Sequence, residues 1–131
     1  MRMIFVNLPV KDVARSKAFF TGLGFGFNPD FSNDETLCMI VEENIFVMLM
    51  HEARFKEFII DEISDTSKST EVLTALSASS RQEVDDTLAK ARTEGVRQVV
   101  TVPVSARVGA VKAVVFNHAD RRAGAGVAQV K

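Results

Sequence analysis

The sequence predicts an α+β fold of two βαβββ units in one domain over residues 1–131, the first unit over about 1–60 and the second over about 68–131. Two observations predict it. A β-rich run followed by a capped helix that ends on glycine occurs twice, and the helix-ending glycines Gly24 and Gly95 lie 71 residues apart, close to half the chain. Each helix is followed by several further β-rich runs, and a polar stretch at 61–69 separates the halves. The repeat lies in the order of elements, not in residue identity.

Each element has a local reason. Residues 3–8 (M-I-F-V-N-L) are β-rich, and Pro9 interrupts the run. Asp12 suits the cap of a helix over 13–21, and Gly22-Leu23-Gly24 ends it. Val13, Ser16, Phe19 and Phe20 fall on roughly one helical face, which makes the two phenylalanines core candidates. Phe25, Phe27 and Phe31 follow around an Asn28-Pro29-Asp30 turn. The runs 36–41 and 44–50 flank Glu42-Glu43-Asn44 and predict an antiparallel hairpin. Residues 52–58 read as a short helix or ordered loop. In the second half 71–77 alternates like a strand, and Ser80-Arg81-Gln82-Glu83 is a capping box. Val84, Leu88, Ala91 and Arg92 carry that helix to Gly95. The runs 96–102 and 107–116 are β-rich, and 127–130 is a further strand candidate.

Composition bounds the function. With 131 residues, 47% hydrophobic and 25% charged, the chain is of ordinary globular type. A chain of this length buries about two thirds of its unfolded surface, so it needs no metal or disulfide to fold. The net charge of −1 gives no global attraction to nucleic acid or an anionic membrane. The single cysteine, Cys38, excludes an internal disulfide framework and a cysteine-based zinc cluster. No apolar run approaches the roughly 20 residues of a membrane span. The opening Met1-Arg2-Met3-Ile4 runs straight into strand-like sequence, which leads to the expectation of a cytoplasmic protein without a signal peptide.

The charge is unevenly spread. Residues 97–131 hold six basic side chains and one acidic, Asp120, for a net of +5, against −6 over 1–96. Basic residues in this tail are spaced through apolar alternation, unlike a clustered nucleic-acid arm. Acidity and aromatic content both drop near residue 97, a break that a reading-frame change in the coding DNA would produce.

The residues Ile4-Phe5-Val6-Asn7-Leu8-Pro9-Val10-Lys11-Asp12, then Ser16-Lys17-Ala18-Phe19-Phe20 and Leu23-Gly24-Phe25, resemble the opening of the vicinal oxygen chelate superfamily. Its members include glyoxalase I, bleomycin-resistance proteins, fosfomycin-modifying enzymes and extradiol dioxygenases. Phe20 stands where that opening usually has Tyr, and Ser80-Arg81-Gln82-Glu83-Val84-Asp85 with Gly95 resembles the second helix of the superfamily; together the likeness covers roughly 3–96. It implies a glyoxalase-like fold whose curved mixed sheets enclose a cavity. Active members hold a divalent metal there through His, Gln or Glu side chains on four strands, with an open position for two oxygens of the substrate.

The resemblance places the four ligand positions at Phe5, at or near Met48, at Glu71, and at a Glu after a Phe-x-Asp-Pro-Asp-Gly-His type turn. A phenyl ring coordinates nothing, and Asn7 is the nearest polar residue on that strand face. Met48 is a poor ligand for a hard or borderline ion. Glu71 alone has coordinating chemistry. In the last stretch Phe116-Asn117-His118-Ala119-Asp120-Arg121-Arg122 is followed by no carboxylate. At best one position in four is filled, so no superfamily-type metal site is expected and the cofactor stays unknown.

Each candidate has a structural reading beside the functional one. His51 follows an apolar strand and suits a helix start or loop. Glu71 becomes a general base or ligand if it faces a cavity, and a solvated strand residue otherwise. His118 reads as an exposed turn residue beside Asp120. Cys38, between Leu37 and Met39, suits a small buried hydrophobe. Met39, Met48 and Met50 with Phe5, Phe27 and Phe46 suit an adaptable apolar cavity for an aromatic ligand, and most would serve equally well as ordinary core. Gly22-Leu23-Gly24-Phe25-Gly26 follows a helix, not a strand, and fails the context of a phosphate loop.

These readings predict a glyoxalase/bleomycin-resistance-like protein that binds a small organic molecule, with Phe5, Asn7, Met48, Met50 and His51 lining the site and Glu71 as the candidate catalytic residue. The resemblance implies a homodimer. Two alternatives stay open: a metal-dependent lyase of lactoylglutathione-lyase type or a dioxygenase, built on Glu71 with His51 or Asn7, and a non-catalytic structural or interaction protein.

Overall fold

Strand β1 (Ile4–Val10) runs straight through Pro9. The expected interruption does not occur, because β1 is an edge strand of a four-stranded sheet ordered β1-β4-β3-β2. Proline lacks an N–H, and an edge strand has one side on which none is required. The structure, a computed structural model, describes residues 1–65, 68, 72–78, 81–93, 101–102, 112–117 and 126–130.

Helix α1 (Val13–Gly22) starts where the sequence places it. Asp12 sits in extended backbone, and its carboxylate accepts the Arg15 N–H at 3.0 Å, satisfying an amide that the first turn leaves free. The far end is closed by two reversed hydrogen bonds. Phe25 N–H donates to the Phe20 carbonyl and Gly24 N–H to the Thr21 carbonyl, each at 3.0 Å. This is a Schellman closure, and its accompanying apolar contact is Phe20 against Phe25, ring centroids 6.1 Å apart. It requires a left-handed residue, and Gly24 supplies it with φ +99°.

A two-residue strand β2 (Gly26–Phe27) leads into a 3-10 turn, Pro29–Phe31, capped by the Asn28 side chain. Ser32 ties this turn to the sheet: its Oγ donates to the Asn28 carbonyl at 2.6 Å and accepts the Cys38 N–H at 3.0 Å. Strands β3 (Thr36–Glu42) and β4 (Ile45–His51) form the predicted hairpin, with an irregularity between Ile40 and Glu42. β4 returns alongside β1 in parallel, Ile4 opposite Ile45 through Val10 opposite His51. A short helix α2 (Glu52–Phe55) and a 3-10 turn, Lys56–Phe58, follow. α1 lies against β3 and β4, and α2 against β1 and β4. Leu8, Val10, Leu37, Met39, Val47 and Leu49 from the sheet and Phe19, Phe20 and Leu23 from the α1 region form the core.

In the second half the same order of elements recurs: β5 (Leu73–Ala78), α3 (Arg81–Thr93), β6 (Thr101–Val102), β7 (Lys112–Asn117) and β8 (Gly126–Val130). Inside α3 the Gln82 amide donates to Asp86 Oδ1 at 2.8 Å, one turn on. Ala91 is fully buried. Ser80 and Gly95, the expected start and stop, lie outside the described residues. The strand pairing differs from that of the first half. The sheet is ordered β5-β7-β8-β6, with β5 antiparallel to β7 and β6 parallel to β8. Among the described residues the first strand of this half therefore does not pair in parallel with the last, as β1 does with β4. Met1–Ile63 and Ser64–Lys131 are two compact units. Among the described residues no helix is long and apolar enough to cross a membrane.

Candidate functional site

Strand alternation gives the first sheet two faces of different character. Register places Phe5 opposite Phe46, Asn7 opposite Met48 and Pro9 opposite Met50. On the other side of β4, Ile40, Cys38 and Thr36 stand opposite the same three residues. These nine positions share one face. The reverse face carries Leu8, Val10, Leu37, Met39, Val47 and Leu49, all buried.

The face of Phe5 is graded along the strands. Pro9, Met50, Thr36 and Cys38 are buried, while Phe46 and Met48 are half-buried and Asn7 is exposed. Phe5 keeps 47% of its surface exposed and Ile40 38%. The rings of Phe5 and Phe46 stack, centroids 5.0 Å apart and planes 13° from parallel. Asn7 Nδ2 donates to the Phe5 carbonyl at 3.0 Å, which orients the amide and leaves Oδ1 with no protein donor among the described residues. None of the nine side chains is a charged type. Burial pushes the Cys38 thiol up from its ordinary pKa, which favours the neutral thiol over the thiolate.

The structure thus brings together Phe5, Asn7, Met48 and Met50, four of the residues read from the sequence as site-lining. It does not bring His51 to them. His51 falls on the reverse register with Ile45, Val47 and Leu49, is exposed, and uses Nδ1 to accept the Ala53 N–H at 3.3 Å, capping α2. Met39 and Phe27, grouped with the apolar cavity set by composition, are opposite one another on the reverse register and belong with the core face. Glu71 and His118 lie outside the described residues. Ile40 was missed as a member of this face; its spacing of two from Cys38 is the signal that finds it once β3 is known to be paired on both sides.

Residues 2–41 match the family model described as bleomycin resistance protein-like N-terminal. This likeness, to a family of the vicinal oxygen chelate superfamily, lies within the first unit. The solved structure of a hypothetical protein from S. aureus is similar over 100% of this chain and 95% of that one, with a TM-score of 0.69 and 22% identity, a likeness of fold. No curated protein matches the chain. The fold is α+β and of the glyoxalase-like type.

The likeness to this superfamily raises the question of its divalent metal. The donor set on this face does not fit one. Phe5 has no lone pair, Met48 offers only a soft thioether, and Asn7 offers a single neutral carbonyl. Among the described residues no group of three or more His, Cys, Asp or Glu side chains is placed to hold a metal ion. What the face offers instead is stacking area, polarizable sulfur and one hydrogen-bond acceptor.

Proposed function

We propose that this protein binds a small organic molecule on the Phe5–Phe46 face of its first sheet, without a superfamily-type metal site, and acts as a homodimer. The observation that carries the reading is the chemistry of that face. At the positions where the superfamily resemblance places its first two metal ligands, Phe5 and Met48, this chain has apolar side chains, and both keep part of their surface open. Partly open aromatic and thioether surface with one oriented amide matches the lining of a small-molecule site.

The test uses purified full-length protein prepared without chelator. A fragment mixture is titrated while the Met48 methyl resonance is followed by NMR, and metal content is measured before and after soaking in Ni, Zn, Mn and Fe salts. Saturable movement of the Met48 signal and metal well below one equivalent per chain are expected. Near-stoichiometric metal would overturn the metal-free reading, and an unmoved Met48 would overturn the binding reading. Light scattering is expected to give twice the 14.4 kDa chain mass.

A further inference from the structure

We infer that the molecule this face takes is a neutral, planar aromatic compound carrying one hydrogen-bond donor. The inference rests on the small-molecule reading above and narrows it.

The geometry of the aromatic pair sets the shape. Phe46 on β4 is flanked in register by Phe5 on one side and Ile40 on the other. Phe5 is on β1, the edge strand, and among the described residues no strand pairs beyond it in this sheet. The parallel stack is therefore closed on the Ile40 side and open on the Phe5 side, and Phe5 is 47% exposed. A flat ring continues such a stack, because offset stacking on an exposed phenyl face gains more than its buried area alone. Half-buried Met48 adds a polarizable sulfur at the same face, which also favours an aromatic partner.

Asn7 sets the polar requirement. It is two residues from Phe5 on the same face, roughly 7 Å along the strand, the reach of a two-ring system. Its Nδ2 spends one of two hydrogens on the Phe5 carbonyl, while Oδ1 accepts from no described residue, so the wholly unused group it presents is the Oδ1 acceptor, which a ligand N–H or O–H satisfies. Charge sets the last condition. With no cationic side chain among the nine, a carboxylate or phosphate would be desolvated here without a counter-charge.

The chain has no Trp and no Tyr, so the emission of a fluorescent aromatic ligand is read without protein background. The test titrates full-length protein with 2-naphthol, naphthalene and 2-naphthoate at pH 7. Saturable 2-naphthol binding at one site per chain is expected, with 2-naphthoate weaker by about tenfold or more. Phe5→Leu, at a half-exposed position, is expected to keep the wild-type thermal melt and to weaken 2-naphthol by about tenfold. Asn7→Leu is expected to erase the preference for 2-naphthol over naphthalene. Equal or tighter binding of 2-naphthoate, or full retention of 2-naphthol affinity in Phe5→Leu, would overturn the inference. Cyclohexanol separates it from the reading beneath it. If cyclohexanol moves the Met48 methyl signal and 2-naphthol does not, the binding face stands and the aromatic class falls; if neither moves it, both fall.

Discussion

Gly24 and Gly26 are two residues apart, and the fold asks different things of them. Gly24 holds φ +99° to close α1, while Gly26 has ordinary strand backbone, and a Cβ built at either meets nothing within 4 Å. The cost of alanine is therefore conformational at Gly24 and absent at Gly26. Gly24→Ala is expected to lower stability by about 1–2 kcal/mol, with Gly26→Ala within about 0.5 kcal/mol of wild type, in urea titrations. Cys38 provides a second measurement. Its thiol is 1% exposed and its pKa is raised by desolvation, so it is expected to resist a disulfide reagent in the native state and to react once the chain is unfolded in urea. The pH dependence follows in sign. A raised folded pKa means that the folded state holds the proton more tightly, so this group's contribution is complete below the unfolded thiol pKa and is lost as pH rises through the folded one. Native-state reaction at neutral pH as fast as that of the unfolded chain would show that the site opens locally without global unfolding.

At the scale of elements, what was legible in the sequence was whatever is specified locally. Asp12 and the Gly22-Leu23-Gly24 stop bracket α1 because capping acts over three or four residues, and α1 is observed at Val13–Gly22. Asp12→Ala is accordingly expected to cost about 1 kcal/mol in a chemical melt, and a fully retained midpoint would mean that the Arg15 amide finds water equally well. The hairpin β3–β4 was legible for the same reason, since alternation and a short acidic turn are neighbours in the chain. The fate of Pro9 was not, because only the position of β1 at the sheet edge makes proline harmless there. The candidate site was half legible. Phe5, Asn7, Met48 and Met50 could be grouped by strand parity, but the Phe5–Phe46 stack depends on a parallel register between strands some forty residues apart, which no local pattern encodes. His51 shows the converse: the sequence suggested both a helix start and a site residue, and the parity of β4 puts it on the reverse face, where it caps α2.

Across the whole chain, the order of elements repeats and the pairing of strands does not. In the first unit β1 lies parallel to the last strand, β4, whereas among the described residues of the second β5 lies antiparallel to β7 and the short β6 runs parallel to β8. Strand β5 and helix α3 both precede residue 97, and β6, β7 and β8 all follow it. The departure from the pairing of the first unit thus falls within the same stretch in which the charge swings from −6 to +5 and aromatic residues thin to Phe116 alone. Charge reversal, aromatic loss and a changed strand order are what a shift of reading frame near codon 97 would produce together. It predicts that one of the two other frames of the 3′ coding region encodes an Asp-Pro-Asp-Gly-like turn followed by Glu, and translation of the coding DNA checks it directly. If one frame does, a chain expressed in that frame is expected to pair its fifth strand in parallel with its last and to regain a carboxylate where the superfamily places its fourth ligand. Phe5 and Met48 lie upstream of the break, and no change of frame alters them. Even the restored chain is therefore expected to take up metal far below one equivalent, because the first two ligand positions remain a phenyl ring and a thioether. If neither frame encodes the turn, the β5-β7-β8-β6 order is the protein's own solution to closing its second sheet with a basic, aromatic-poor strand set.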